Sequence, residues 1–178
     1  MPPSYAARAT LAAVTTEIDR LAAARRAFAD LAPRVIDGEP WPLADDFGTG
    51  PEASWGPREV LAHVEEMLPF WLGEMERVID GGGGAAVPFG RIADDTLRLG
   101  IIERDRTLPL RVLFGRIDAG LLAWAERIPT LTDAEQTHIG VHPRLGEMPA
   151  GSMLERFVIG HAEDHVAQLA DILGARAD

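Results

Sequence analysis

The chain has 178 residues, of which 47% are hydrophobic and 25% charged, and this composition is typical of a single globular domain over residues 1–178. Its net charge of -11 repels phosphate backbones and anionic bilayers, so we expect neither nucleic acid nor a membrane as a partner. The absence of cysteine and lysine excludes a cysteine nucleophile, thiolate zinc sites and Schiff-base chemistry. With no secretory signal and no apolar run approaching about 18 residues, the sequence predicts a cytoplasmic protein.

Two helices are predicted in the first half of the chain. The first covers about residues 5–31, where apolar side chains recur at spacings of three, four and seven. Residues 32–55 are rich in Pro and Gly and predict a long loop. The second helix covers residues 57–79, and Gly56-Pro57 is the pair expected at a helix N-terminus. Pro69 lies inside this helix, where we expect a kink or local bulge in a helix that continues.

Two more helices are predicted in the second half. One covers about residues 107–128, and the other covers residues 152–173. The last helix is expected to start with a capping box between Ser152 and Glu155 and to stop at Gly174. No segment shows convincing strand alternation, so four amphipathic helices within one domain predict an all-α four-helix bundle with long inter-helix loops.

Three histidines are candidate metal ligands. His161 and His165 stand four residues apart on the last predicted helix, so both imidazoles lie on its core-facing stripe. His63 lies on the core-facing stripe of the second helix. Three inward-facing imidazoles leave several buried nitrogens in need of partners, and one shared metal ion satisfies three of them. The alternative is that each histidine is a packed core residue with its own hydrogen-bond partner.

Two known metal-binding patterns are excluded. The metallopeptidase helix places Glu directly after the first His, whereas residues 161–165 read HAEDH. A di-iron bundle needs a Glu three residues before a His on each of two helices, and the one such pair, Glu135 and His138, falls in a predicted loop. The sequence therefore favours a site for a single ion.

Three segments carry a family resemblance. Residues 55–63 read WGPREVLAH, residues 142–147 read HPRLGE and residues 161–169 read HAEDHVAQL. In motif order and helix number, the chain resembles the DinB-like family over most of its length. The resemblance implies a four-helix bundle, commonly a homodimer, in which His63, His161 and His165 bind a divalent metal. It also implies a metalloenzyme acting on small molecules, since some such proteins are S-transferases or isomerases that use mycothiol, bacillithiol or glutathione.

Several functions stay open for such a site. Three neutral ligands leave the ion its full charge and at least one open position. A thiol bound there loses its proton near neutral pH and becomes a nucleophile, whereas a bound water can instead hydrolyse a substrate. A noncatalytic bundle that binds a metal or a small molecule is a further alternative. Zinc, nickel and iron all accept imidazole, so the pattern does not select the metal.

Other polar residues are candidates for supporting roles, and no catalytic residue is assigned. Arg58 at the start of the second helix and Arg144 in the HPRLG loop can hold a carboxylate of a thiol cofactor, although a surface position is the alternative for each. His142 can approach the same site or cap a turn. Four acids flank the histidines in sequence and are candidate partners for their ring N–H groups, namely Glu65, Glu66, Glu163 and Asp164.

Overall fold

The structure is a computed structural model that describes the backbone of residues 5–176 and the side chains of residues 16–176. The chain is mostly helical, as predicted, and carries one small sheet. The helices are α1 (Tyr5–Asp37), α2 (Pro57–Asp80), α3 (Thr96–Asp105), α4 (Leu110–Arg127), α5 (Asp133–Gln136), α6 (Ala150–Leu154) and α7 (Gly160–Ala175). The strands are β1 (Val87–Pro88), β2 (Ile139–His142) and β3 (Gly146–Pro149). The part of the predicted first apolar stripe that precedes residue 16 lies outside the described side chains.

The core lies between the long helices. Both α1 and α2 contact α4 and α7, and α3 packs against α2. Residues 59–68 of α2 are all buried, so this helix is the centre of the packing. Leu61, Leu68 and Ile117 are fully buried, and burial of a side chain of this size contributes about 1.5–3 kcal/mol. The rigid centre of α2 is the element that carries His63.

Helix α1 is longer than predicted. It continues through Pro33 to Asp37, although Pro33 was expected to lie in the following loop. Val35 is fully buried, and its carbonyl accepts a hydrogen bond of 2.7 Å from the indole nitrogen of Trp41. This packing and hydrogen bond stabilise the last turn enough to outweigh the backbone donor that Pro33 removes. Helix α2 continues through Pro69, as predicted.

The C-terminal helical segment starts differently from the prediction. Helix α6 begins at Ala150, directly after Pro149, and the capping box expected from Ser152 and Glu155 does not form. The Glu155 carboxylate instead binds Arg20 of α1 at 2.6 Å. Residues 155–159 form a π-helical turn, a widened turn that is often found at functional sites. Gly174 lies inside α7, which ends one residue later.

The small sheet and α3 were not predicted. Strand β1 pairs parallel with β2, and β2 pairs antiparallel with β3. These strands are two to four residues long, which is too short for an alternating pattern to be recognised. Helix α3 lies between the second and third predicted helices, in a region expected to be a loop. Its first turn is capped by Asp95, which accepts from the backbone N–H of Arg98 at 2.9 Å. None of the described helices combines the length and apolar character needed to cross a bilayer.

Candidate metal centre

The fold brings His63, His161 and His165 together. His63 comes from the buried centre of α2, and the other two lie one turn apart on α7. The Nε2 atoms of His63 and His161 are 3.3 Å apart. The ring centroid of His165 is 5.0 Å from that of His63 and 4.7 Å from that of His161. Three imidazoles therefore form one compact group in the protein interior.

The spacing of this group suits a single metal ion. Two nitrogen ligands of a tetrahedral ion, each about 2.0–2.1 Å from the metal, lie roughly 3.3 Å from one another. Donor atoms of the three histidines and of Glu52 all lie within 4.8 Å of one another. The Nε2 atom of His165 is buried and has no hydrogen-bond partner among the described residues. A buried nitrogen without a partner is costly, and coordination to an ion would satisfy it.

Glu52 is the member of this group that sequence reasoning missed. It lies in a short 3-10 turn, Glu52–Ser54, within the long loop that precedes α2. Its carboxylate also forms an ion pair with Arg98 of α3. No spacing rule connects a loop acid with histidines on two distant helices, so only the fold of this loop identifies it.

Burial keeps the three histidines neutral. It lowers the pKa of His63 well below the usual value, and the neighbouring Arg98 cation lowers it further. Burial and, next, the proximity of His165 lower the pKa of His161 to about 4. The pKa of His165 is lowered mainly by burial. Near pH 7 each imidazole therefore has a nitrogen lone pair free to bind a metal.

Gln168 orients one of the ligands. The Nδ1–H group of His165 donates to Oε1 of Gln168 at 2.9 Å, which leaves the lone pair on Nε2, the buried nitrogen without a partner among the described residues. The side-chain amide of Gln168 donates to the backbone carbonyl of Glu52 at 2.8 Å. One glutamine thus links a histidine of α7 to the loop that carries the carboxylate. Gln168 is part of the HxxxHxxQL pattern, but the sequence assigned it no role.

Arg98 places a buried positive charge beside the group. One of its terminal nitrogens lies 3.3 Å and 3.4 Å from the two ring nitrogens of His63. Because these two distances are nearly equal, this nitrogen lies over the ring face and not along either lone pair. The side chain is held by Glu52 and by the carbonyl of Ala93 at 2.8 Å. Arg98 therefore does not occupy the one nitrogen lone pair of the neutral His63 ring, and it balances the Glu52 charge.

The acids next to the histidines in sequence do not bond to the imidazole rings. Three of them are held by arginines: Glu65 by Arg116, Glu66 by Arg91 and Glu163 by Arg20. No hydrogen bond joins Asp164 to a histidine in the part of the chain that the structure describes. Glu65 thus joins α2 to α4 and Glu163 joins α7 to α1, whereas Gln168 takes the orienting role expected of the acids.

A cavity of about 260 Å³ adjoins the histidine group. His63, His161 and Glu52 lie along one part of its lining, and two of the residues predicted to bind a cofactor, His142 and Arg144, lie along another. The third, Arg58, does not line it. Its guanidinium donates to the carbonyls of Arg106 and Leu108 at 3.2 Å and pairs with Glu39, so it ties two loops together.

The comparisons with family models and curated proteins do not assign this chain to a family. No protein-family model matches this chain, and neither does any curated protein. The fold and the site define a class nonetheless: a mostly helical protein with a cluster of three histidines and one carboxylate, of which His63 and His165 are buried, beside a small cavity.

Proposed function

We propose that this protein is a mononuclear divalent-metal protein of the DinB-like kind, in which His63, His161 and His165 hold the ion and Glu52 supplies a fourth donor. The observation that carries the proposal is the buried Nε2 of His165, which has no hydrogen-bond partner among the described residues although its side chain belongs to the group of four donors. The contacts of α1 and α2 with both α4 and α7 support a four-helix bundle as the scaffold.

The reaction we propose is a thiol-dependent S-transfer or isomerisation, which the DinB-like resemblance implies. Zinc, nickel or iron bound by these residues would supply a Lewis acid that lowers the pKa of a coordinated thiol. The chain has no cysteine, so the thiol must come from a small molecule such as mycothiol or bacillithiol. A cytoplasmic homodimer belongs to the same proposal, again on the basis of the resemblance.

Several residues of the chain would have distinct roles in such a site. The neutral histidines leave the ion its charge, and Gln168 holds His165 with its Nε2 toward the group. Trp55 packs edge-on against His63, with ring centroids 5.7 Å apart, and is not part of the cavity lining. The substrate reaches the group through the cavity beside His161, which is the more exposed of the two α7 histidines.

Elemental analysis of the protein purified without an affinity tag tests the proposal. We expect about one divalent ion per chain, lost in His63→Ala because α2 then contributes no ligand. His138→Ala is the matched control. His138 donates to the carbonyl of Ile79 at 2.9 Å and lies outside the histidine group, so this variant keeps the ion.

Two further variants test separately the fourth donor, Glu52, and the catalytic role of the metal centre. Glu52→Ala is expected to retain the ion with an affinity lowered by about tenfold or more, since one donor is removed and Arg98 loses its partner. His161→Ala is expected to abolish thiol-dependent turnover. No ion after dialysis against zinc or nickel, or equal ion content in His63→Ala, would show that the histidines serve packing alone. Turnover retained in His161→Ala would contradict the catalytic role.

A further inference from the structure

The cavity beside the histidines has a charge opposite to that of the chain. The protein carries a net charge of -11, yet three arginines line this cavity, Arg91, Arg98 and Arg144. Glu52 is the one acidic residue along its lining within the described part of the chain. A concave site lined by one sign of charge concentrates ligands of the other sign. The arginines of the lining therefore favour an anionic ligand in the cavity, beside the proposed ion.

Arg144 is the arginine that is available to a ligand. Arg91 is bound to Glu66 and lies over the ring of Phe70, and Arg98 is bound to Glu52. The guanidinium of Arg144 has neither a hydrogen bond nor an ion pair to any residue that the structure describes. A free guanidinium at a cavity mouth can bind a carboxylate through two parallel hydrogen bonds.

His142 holds the Arg144 loop in place. Its Nδ1 accepts hydrogen bonds from the backbone N–H groups of Arg144 at 3.2 Å and Leu145 at 3.3 Å. Its Nε2–H donates to the carbonyl of Arg91 at 3.1 Å. The turn between β2 and β3 is thereby tied to the segment that carries Arg91, so Arg144 extends from an anchored backbone. Anchoring lowers the entropy that ligand binding has to overcome.

Three rings of the cavity lining, those of Trp71, Phe157 and His142, pack against one another and form an aromatic wall. Trp71 and Phe157 are stacked with centroids 4.1 Å apart and planes 11° apart, and His142 lies 5.4 Å from Phe157 at 25°. The Trp71 and His142 planes differ by 33°. Phe157 takes its place in this wall from the π-helical turn. Aromatic side chains in a cavity lining favour a ligand with an apolar body, and an aromatic ring is a body that can pack against them.

We infer that this cavity binds a small carboxylate with a flat apolar body, of the aromatic carboxylate class. The carboxylate pairs with Arg144 and the flat body lies along the wall of Trp71, Phe157 and His142. The volume of about 260 Å³ limits the ligand to a small molecule. The inference rests on the proposed function, because it assigns this ligand as the substrate of the metal centre.

Ligand-observed NMR titration with three simple probes tests the inference. Benzoate has both features, benzamide keeps the ring without the charge, and acetate keeps the charge without the ring. We expect metal-free protein to bind benzoate about tenfold or more tightly than either other probe. Benzamide binding equal to benzoate would overturn the role of the charge, and acetate binding equal to benzoate would overturn the role of the wall.

Two arginine variants locate the binding site. Arg144→Gln is expected to weaken benzoate binding by about fivefold or more, because the ion pair is lost. Arg111→Gln is the matched control, since Arg111 is an exposed arginine on α4 away from the cavity, and it should bind benzoate as the unmodified protein does. Equal affinities in the two variants would overturn the assignment of Arg144.

The same titration separates this inference from the metal proposal. Zinc bound at one ion per chain without benzoate binding overturns the ligand class and leaves the metal centre in place. Benzoate binding to a protein that takes up no zinc supports the cavity assignment and overturns the metal centre. The use of metal-free protein ensures that benzoate is not simply bound to an ion.

Discussion

The Nε2 atoms of His63 and His161 lie 3.3 Å apart, although 98 positions separate the two residues in the chain. Both side chains are neutral because burial lowers their pKa values, so at most one of the two nitrogens can donate to the other. His165 adds a third buried nitrogen with no partner in the described structure. Without a metal ion, few of these buried nitrogens have a hydrogen-bond partner. The distance between the two Nε2 atoms is the one expected for two ligands of a tetrahedral ion.

Gln168 is expected to control the affinity of the site for metal. Gln168→Ala removes the acceptor for His165 Nδ1–H and the amide that holds the Glu52 backbone, so we expect zinc binding to weaken by about 10–100-fold. Competition with a chromophoric chelator measures the affinity. Gln136→Ala is the control, because Gln136 lies at the end of α5, away from the histidine group. Identical zinc affinities in the two variants would show that Gln168 does not orient a ligand.

Acid is expected to destabilise the metal-free protein in part through His142. Its pKa is lowered, chiefly by burial, and its Nδ1 must stay unprotonated to accept two backbone hydrogen bonds. The pKa of histidine in the unfolded chain is about 6.5. Above that pH, His142 is neutral in both the folded and the unfolded state, so it does not reduce the free energy of unfolding. As the pH falls below that value the unfolded chain takes up the proton first. The free energy of unfolding therefore decreases until the pH has passed the folded pKa.

Urea unfolding between about pH 7.5 and about pH 5, with a chelator present, measures this effect. The other buried histidines contribute in the same direction, so the informative quantity is the difference between variants. His142→Gln should show a shallower loss of stability with acid than the unmodified protein. Gln136→Ala, which removes no titratable group, should follow the unmodified protein. If the free energy of unfolding of His142→Gln fell with acid in parallel with that of the unmodified protein, His142 would not be a cause of this loss of stability.

Two glycines of α4 are expected to respond oppositely to the same substitution. A Cβ at Gly120 would lie 2.9 Å from the Cβ of Leu68 on α2, whereas a Cβ at Gly115 meets none of the described atoms within 4 Å. Gly120→Ala should therefore cost about 1–3 kcal/mol, because the two helices must separate. Gly115→Ala should stabilise the protein by about 0.5–1 kcal/mol through helix propensity alone. Thermal or urea unfolding distinguishes them, and equal stabilities would rule out close α2–α4 contact at Gly120.

Sequence patterns predicted the parts of the fold that depend on residues close together in the chain. The apolar stripe of residues 57–79 is long and strongly periodic, so it predicted α2, and with it the inward direction of His63. The four-residue spacing of His161 and His165 requires nothing beyond helix geometry to place both on one face of α7. The mostly helical class follows for the same reason, since each long amphipathic stripe needs a partner to cover it.

Pro33 and Glu155 show where local rules fail. Pro33 predicts a break, yet burial of Val35 and the hydrogen bond from Trp41 extend α1 past it. Glu155 has the right spacing for a capping box with Ser152, yet it binds Arg20 of α1 instead. The partner of Glu155 lies 135 positions away in the chain, and its contribution exceeds the local preference for a cap, which is about 1 kcal/mol. The partner of Val35 lies six positions away, beyond the spacing that helix periodicity records.

The sequence by itself determined the composition class, the long helices and the two helix faces that carry histidines, because each depends on residues within a few turns of one another. Only the tertiary structure decided that these faces meet, that Glu52 and Arg98 join them and that Arg144 lines the adjoining cavity. These contacts depend on how the long loop before α2 and the segment from α3 to β3 pack over the helices. Such packing is set by the sum of many distant contacts, which no spacing along the chain records.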